Sequence, residues 1–309
     1  MPISKAQREN RKNHLGSSDI SALFGVDPWR NAHDVYLEKT GKLNDEDSDK
    51  NYLNAGNFFE EGVLTWAEQE LGKITSEENG EALFRKAVGF PIAVHPDGIV
   101  DQTGNPVEAK TAGLFGPLVE VWGDQHTDDL PDRIILQCHT HMLCVDKMVC
   151  HVPVFLGGRG FVMFYVEWED SIMDMIRDKS VEFWDDHVLA DVPPPDVIPS
   201  ITMIKRMKRE PEKTVDLDDA LVENWLNAKE REKLAKKIRD GAQEEMLAGL
   251  GDAEGGRCSQ GLITYLEQTA NRIDVKGLRA NEPDIAETYS IASKSRTVRL
   301  KKPKAKKWK

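Results

Sequence analysis

The segment His95-Pro96-Asp97-Gly98-Ile99-Val100-Asp101-Gln102-Thr103-Gly104-Asn105-Pro106-Val107-Glu108-Ala109-Lys110-Thr111 reads as a β-hairpin. Strand signals cover Pro91 to Asp101 and Pro106 to Thr111, and the turn formers Gln102-Thr103-Gly104-Asn105 join them. Residues two apart on a strand project to one side, so Glu108 and Lys110 share a face while Ala109 points away. The preceding arm can bring Asp97 beside them. Two carboxylates and an ammonium on one face make a hard-oxygen metal site with a cation next to it. That set suits Mg²⁺-assisted attack of water on a phosphodiester. A Glu-x-Lys pair alone carries less, because such pairs are commonly solvated surface salt bridges of little energetic consequence.

A third carboxylate strengthens the reading. The spacing predicts a helix from Asn57 to Leu71, closed by Gly72, in which Glu60 has Val63, Leu64, Ala67 and Leu71 as its i+3, i+4, i+7 and i+11 neighbours. Glu60 therefore lies on the face that packs inward, and a nearby metal or cation would offset the cost of burying its charge. Glu61, toward Thr65 and Glu68, has no such need. The alternative is a Glu at the margin of the apolar stripe, reaching water by its flexible stem.

Outward from these motifs the pattern alternates helix and strand to about residue 190, which gives a mixed α/β core. Ala112 to Leu130 reads as a long loop, and Pro131 opens a helix to about Val145. Val149 to Phe155 and Gly160 to Glu167 are strands around Gly157-Gly158, and a helix from Asp170 to Leu189 ends near Pro193-Pro194-Pro195. The expected organisation is a core over 1–195, a helical extension with a short mixed segment over 196–293, and a basic tail over 294–309. The extension contains a charged helix at about 217–250, a Gly-rich exit at 251–256 and strand-like Leu262 to Leu266. That helix reads as an arm packed on the core or on a neighbouring subunit rather than as a DNA-reading element.

The chain has 309 residues and a formal charge of −12, yet residues 294–309 hold nine Lys or Arg and no acid, which leaves −21 on residues 1–293. An acidic body with a basic tail fits a solvated surface plus a metal-binding carboxylate cluster, with the tail available to nucleic acid. No apolar run approaches the roughly 18 residues of a membrane span, and the N-terminal residues are polar, so a soluble cytoplasmic protein is expected. The four Cys, none in Cys-x-x-Cys, suit a reducing compartment.

Three further features bear on the site. Ser17 and Ser18 precede Asp19-Ile20-Ser21-Ala22-Leu23-Phe24, so one of them can cap a helix whose free amides, with Arg11, make an anion site; the plain alternative is an ordinary cap with a surface Arg. Cys138, His139, His141, Cys144, Cys150 and His151 suggest a zinc or iron–sulfur cluster, but they run across a predicted helix and the next strand. The six-residue spacing of the three Cys does not keep one helical face, so packing is the better account. Phe115 and Trp122, in the loop before Leu130, could grip or wedge DNA or simply pack.

Taken together, Gly16-Ser17-Ser18-Asp19-Ile20, Gly25-Val26-Asp27-Pro28-Trp29, Gly56-Asn57-Phe58-Phe59-Glu60, Pro96-Asp97-Gly98, Glu108-Ala109-Lys110 and Leu136-Gln137-Cys138-His139 resemble, in order, the lambda-exonuclease or YqaJ-like branch of the PD-(D/E)xK nucleases. The resemblance covers most of residues 11–185. It implies a restriction-endonuclease-like α/β (α+β) core, a mixed central sheet flanked by helices, with a helical C-terminal extension. It implies that Asp97, Glu108 and the main-chain carbonyl of Ala109 hold one Mg²⁺ and that Glu60 helps bind a second, with Mn²⁺ as a substitute. Lys110 would orient or deprotonate water, Gln137 would bond near that water or the scissile phosphate, and Arg11, Ser17 and Ser18 would hold a 5′-terminal phosphate. The implied activity is ATP-independent 5′-to-3′ digestion of double-stranded DNA in phage-type recombination, exposing a 3′ strand for a single-strand annealing protein, by a homotrimer in well-known members. The alternatives are a structure- or sequence-dependent endonuclease on the same core and a non-catalytic DNA-binding module.

Overall fold

The computed structural model describes residues 9–44, 50–113, 122–291, 298 and 300, with backbone alone at 50–57. Phe115 and all of the basic tail except Val298 and Leu300 lie outside the described residues. The chain divides into two units, Met1–Lys213 and Thr214–Lys309.

The first unit begins with a 3-10 turn, Arg11–Asn13, followed by helices α1 (Ser17–Leu23), α2 (Ala32–Lys39) and α3 (Lys50–Leu71). Short strands follow: β1 (Ile74–Thr75), β2 (Glu77–Glu78), β3 (Glu81–Ala82), β4 (Arg85–Lys86), β5 (Ala93–Val94), β6 (Gly98–Val100), β7 (Pro106–Val107) and β8 (Lys110–Ala112). Helix α4 (Asp132–Val145) leads into the long strands β9 (Val149–Leu156) and β10 (Gly160–Glu167). Helix α5 (Asp170–Phe183), whose last turns widen into a π-helix at Trp184–Leu189, and helix α6 (Ile201–Arg206) complete the unit.

The central sheet is mixed, ordered β1-β6-β7-β9-β10, with β8 also paired to β9. β6 and β7 form the expected antiparallel hairpin, Gly98 opposite Val107, and β9–β10 pair antiparallel over their full length. β7 and β8 pair parallel with β9, a connection that α4 makes possible as the crossover. Helices cover both faces. Ile134, Cys138 and Met142 of α4 pack with Val152, Val154, Phe164 and Met173 on one side, and Ala67 of α3 packs with Ile74, Val100, Val107 and Met163 on the other. This follows from period-two burial along β9 and β10, which sends alternate residues to opposite layers. A third cluster joins Ile20, Val35, Leu37, Ile176, Phe183 and Met203 around α1 and α2.

Two expectations change. The expected strand 91–101 is broken at His95-Pro96-Asp97 into β5 and β6, which pair with different partners, β4 for one and β1 and β7 for the other. Pro96 supplies no N–H to continue a ladder. The expected core boundary at Pro193-Pro194-Pro195 falls short, since the first unit runs to Lys213. Met203 of α6 is buried in the third cluster, and Leu43 bridges Met207 while Asn44 N–H donates to Arg206 O at 2.9 Å.

The second unit holds α7 (Asp219–Leu250), the hairpin β11 (Gly255–Cys258) and β12 (Gly261–Thr264), α8 (Val275–Asn281) and α9 (Pro283–Thr288). Asp218 caps α7 by accepting from Ala220 N–H at 2.9 Å. Among the described residues of this unit only Ala286 is buried. No described helix is long and apolar enough to cross a membrane.

Candidate active site

The hairpin and α3 bring Glu60, Asp97, Glu108 and Lys110 together where the sheet forks. β7 pairs with both β6 and β9, whereas β8 pairs only with β9, so the strand parts from β6 at Glu108-Ala109. Glu108 N–H still donates to His151 O at 2.9 Å, which keeps the bent strand on β9. Across the fork, Ala109 N–H donates to Asp97 Oδ2 at 2.8 Å and fixes the carboxylate that begins β6. Gly98 is required beside it, because a Cβ there would overlap Ile74 Cγ2 of β1. Glu108 and Lys110 share a face, as expected from their spacing, and Lys110 Nζ contacts Glu108 Oε1.

Glu60 sits on the inward stripe of α3. Val63 and Ala67 are buried and Glu61, Thr65 and Glu68 are exposed, as the periodicity predicts. Its carboxyl is half-buried and is pushed up from the ordinary range by that burial and by the charge of Glu108. Burial, then repulsion from Glu108 and Glu60, pushes Asp97 well above the usual carboxylate range against the pull of Lys110 and the Ala109 amide. Glu108 goes the other way: burial opposes its charge, but Lys110 and His141 outweigh burial and hold it ionised. For Lys110, too, burial opposes the charge, and Glu108 with Asp97 outweighs it and keeps the ammonium protonated.

The donor chemistry fits a divalent cation. Three carboxylates share the site with one ammonium, and two of them are held above their ordinary range by burial and then by repulsion from their neighbours, a deficit of positive charge that a bound cation would make good. Among the described residues no three such side chains already surround one point. Both oxygens of Glu108 are engaged, Oε1 by Lys110 and Oε2 by His141 Nε2 at 2.9 Å, so loading a metal would need Glu108 or Lys110 to turn.

Helix α4 contributes more than the sequence suggests. Arg133, Gln137 and His141 are spaced at i, i+4 and i+8 and line one helical face. His141 is 1% exposed and touches Glu108; Gln137 is buried, and among the described residues nothing donates to its Oε1. The charge of Arg133 acts on Lys110, and its guanidinium lies 5.3 Å from the centre of the exposed Trp29 ring. Of the cysteines and histidines set aside as packing, Cys138 and Cys150 are core residues and His139 Nδ1 lies 2.9 Å from Ile135 O. His141 is the exception, and its signal was the four-residue step from Gln137. Trp122 packs on Phe164 with ring centres 5.7 Å apart.

The N-terminal group is more self-contained than expected. Neither Ser17 nor Ser18 caps α1. Gly16 is the cap, and its N–H is taken by Asp19 Oδ2 at 2.9 Å. Asp19 in turn pairs with Arg30 at 2.7 Å and Lys39 at 2.6 Å, while Arg30 lies 3.5 Å from Ser18 Oγ. Arg11 is close, with its guanidinium 3.9 Å from where a Gly16 Cβ would stand. This group reaches the fork through β5: Leu15 N–H donates to Pro91 O at 2.7 Å and Ala93 N–H to Leu15 O at 2.9 Å, and β5 leads directly into His95-Pro96-Asp97.

Comparison with known proteins finds similarities over most of the chain. The chain is 26% identical over 290 residues to the Bacillus subtilis (strain 168) protein YqaJ, covering 90% of this chain and 88% of that one. Among solved structures, an alkaline exonuclease from Laribacter hongkongensis superposes with a TM-score of 0.43 at 12% identity, over 61% of this chain and 94% of its own. A phage-related exonuclease from Haemophilus somnus 129PT gives 0.42 at 11%, over 59% and 99%. The model of the YqaJ-like viral recombinase domain matches residues 8–148, the span that contains Arg11, Ser17, Ser18, Glu60, Asp97, Glu108, Ala109, Lys110, Gln137 and His141, and over that span the chain is similar to this family.

Proposed function

We propose that the protein is a metal-dependent, ATP-independent deoxyribonuclease that digests double-stranded DNA from a 5′ end. The convergence of Glu60, Asp97, Glu108 and Lys110 at the fork of the sheet carries the reading. Asp97, Glu108 and the Ala109 carbonyl would hold one Mg²⁺ or Mn²⁺, and Glu60 would help with a second. A bound ion there would lower the pKa of a coordinated water and polarise the phosphate. The protonated Lys110 would orient that water and stabilise charge on the phosphorane rather than accept the water's proton. Gln137 Oε1, which has no donor among the described residues, would take a hydrogen bond from the water.

Arg11, Ser17 and Ser18 would receive a 5′ phosphate, with Arg11 as the principal cation because Arg30 and Lys39 already serve Asp19. The matching domain's recombinase name supports a role in which the exposed 3′ strand passes to an annealing protein, and the same reading includes a homotrimer. Residues 294–309 would add phosphate contacts through their nine cations.

The test compares three substrates with Mg²⁺ present: linear duplex with a 5′ phosphate, the same duplex without it, and a covalently closed circle. The expected order is fast, slow and inert. Equal rates on the two linear duplexes would remove the 5′-phosphate assignment, and rapid loss of the circle would make the enzyme an endonuclease on the same core. No cleavage of any substrate with Mg²⁺ or Mn²⁺ would leave a non-catalytic DNA-binding module.

A further inference from the structure

One residue before Glu60, a run of aromatic rings crosses from α3 onto the β9–β10 hairpin. Phe59 stacks on Phe155 with ring centres 6.0 Å apart and planes 4° from parallel, and Phe155 meets Phe161, its cross-strand partner, at 5.2 Å. Phe161 stacks on Trp66 at 5.1 Å and 12°. Ordinary packing of α3 on the sheet explains the inner members. It does not explain the outer ones, because Phe59 is 54% exposed, Phe161 41% and the adjacent Phe58 81%. Grouped exposed rings of this size mark a binding surface, since each costs free energy while it faces water.

A cation stands at the same end of the hairpin. Arg159, two residues before Phe161, is exposed and donates only to carbonyl oxygens, of Trp122 and Gly123 at 3.1 Å, so among the described residues no carboxylate neutralises it. Flat aromatic faces and an unneutralised guanidinium at the same end of one hairpin match the chemistry of an unpaired nucleic-acid strand, whose bases stack regardless of sequence while its phosphates seek the cation. The position argues for the same occupant. The stack starts at the residue next to Glu60 and includes Phe155, which pairs in register with Thr111, the neighbour of Lys110.

We infer that Phe59, Phe155, Phe161 and Trp66, with Arg159, form a stacking platform for a single strand of DNA beside the scissile site. The inference rests on the nuclease reading for the identity of its ligand. It is tested by fluorescence anisotropy of a labelled oligothymidine about twenty nucleotides long, with the full-length protein in EDTA so that no cleavage occurs. Phe59→Ala should weaken binding by roughly 5- to 100-fold, the range expected for losing one base–aromatic stack. Phe59→Tyr, which keeps the ring, should bind like wild type, and Phe59→Ala/Phe161→Ala should be weaker than the single variant.

Thermal midpoints establish that each variant is folded; if the double variant is not, the exposed single site Phe59→Ala against Phe59→Tyr decides alone. Unchanged affinity in folded Phe59→Ala, or no strand binding by wild type, overturns the platform. A change in oligomeric state at constant strand affinity also overturns it and makes the surface a contact between copies of the chain. The nuclease reading fails separately, if Asp97→Ala still cleaves duplex with Mg²⁺, whatever the anisotropy reports.

Discussion

Asp19 and Asp97 sit on segments joined by the same strand, β5, and the fold treats them in opposite ways. Asp19 has Arg30 on one oxygen and Lys39 with the Gly16 amide on the other. Burial opposes its charge, but Lys39 and Arg30 outweigh burial and hold the carboxyl far below its ordinary range. Asp97 receives a hydrogen bond from the Ala109 amide and faces two other carboxylates, so burial and repulsion push it up. A chain that merely needed a buried acid would finish neutralising it, as it does for Asp19. Leaving Asp97 short of positive charge is a cost to the folded state that a bound cation would repay, and in the proposed nuclease that difference separates a structural carboxylate from one kept for chemistry.

The comparison breaks most visibly by substituting each acid. Asp97→Ala is expected to reduce Mg²⁺-dependent cleavage by about 10³-fold or more, measured on 5′-phosphorylated duplex. Asp97→Asn should lose activity to a similar degree while its thermal midpoint stays at or above that of wild type, because the amide keeps an acceptor for Ala109 N–H and carries no charge. Asp19→Ala should do the reverse in kind. It strands Lys39 in a buried position, while Arg30 keeps Glu38 at 2.7 Å, and is expected to cost about 3–5 kcal/mol of unfolding free energy in urea titration. If Asp97→Asn proved as destabilising as Asp19→Ala, the two acids would be doing the same work and the distinction would fall.

The legible part of this site was the part carried by local periodicity. Alternation placed Glu108 with Lys110, and the helical stripe turned Glu60 inward, because both relations are fixed within one element by backbone geometry. The hairpin turn could be read for the same reason. What the chain did not disclose depends on contacts distant in sequence. His141 reaches Glu108 only because α4 crosses back over the sheet between β8 and β9, and the Arg30–Asp19–Lys39 group closes over 21 residues of chain. The core boundary was misplaced on similar grounds. Three consecutive prolines end a helix locally, but Met203 beyond them still finds a hydrophobic cluster. The charged helix at 219–250 was legible because its solvated faces require no partner to specify them.

His141 sharpens the comparison from the Asp97 side. Its Nε2 lies 2.9 Å from Oε2 of Glu108, and under the proposed function it touches no reacting atom, which makes it a positioning residue in that reading. His141→Ala should raise the Mg²⁺ concentration for half-maximal cleavage by roughly 10- to 100-fold, the range for groups that orient metal-binding side chains. His141→Gln, able to donate to the same oxygen, should recover part of the loss. A purely structural role would lower the thermal midpoint in both variants and leave the metal dependence unmoved.

The smallest effect comes from the Asp19 side and is read in pH. His14 is buried, and that burial, followed by the charges of Lys39 and His95, lowers its pKa from the ordinary 6.5 to about 4. The folded state therefore binds fewer protons than the unfolded state between those values, so stability rises with pH across this window. The contribution is fully present above about pH 6.5 and is lost as pH falls toward 4. One such group changes unfolding free energy by at most about 1.4 kcal/mol per pH unit. His14→Asn should flatten the slope of urea-derived stability between pH 6.5 and 4 by up to that amount. Asp19, whose pKa is lowered from 3.8, loses its contribution only at more acidic pH, so the two effects separate on one titration. An identical slope in His14→Asn and wild type would mean that His14 is protonated in the fold, and that the positive charge around Asp19 is greater than Arg11, Arg30 and Lys39 supply.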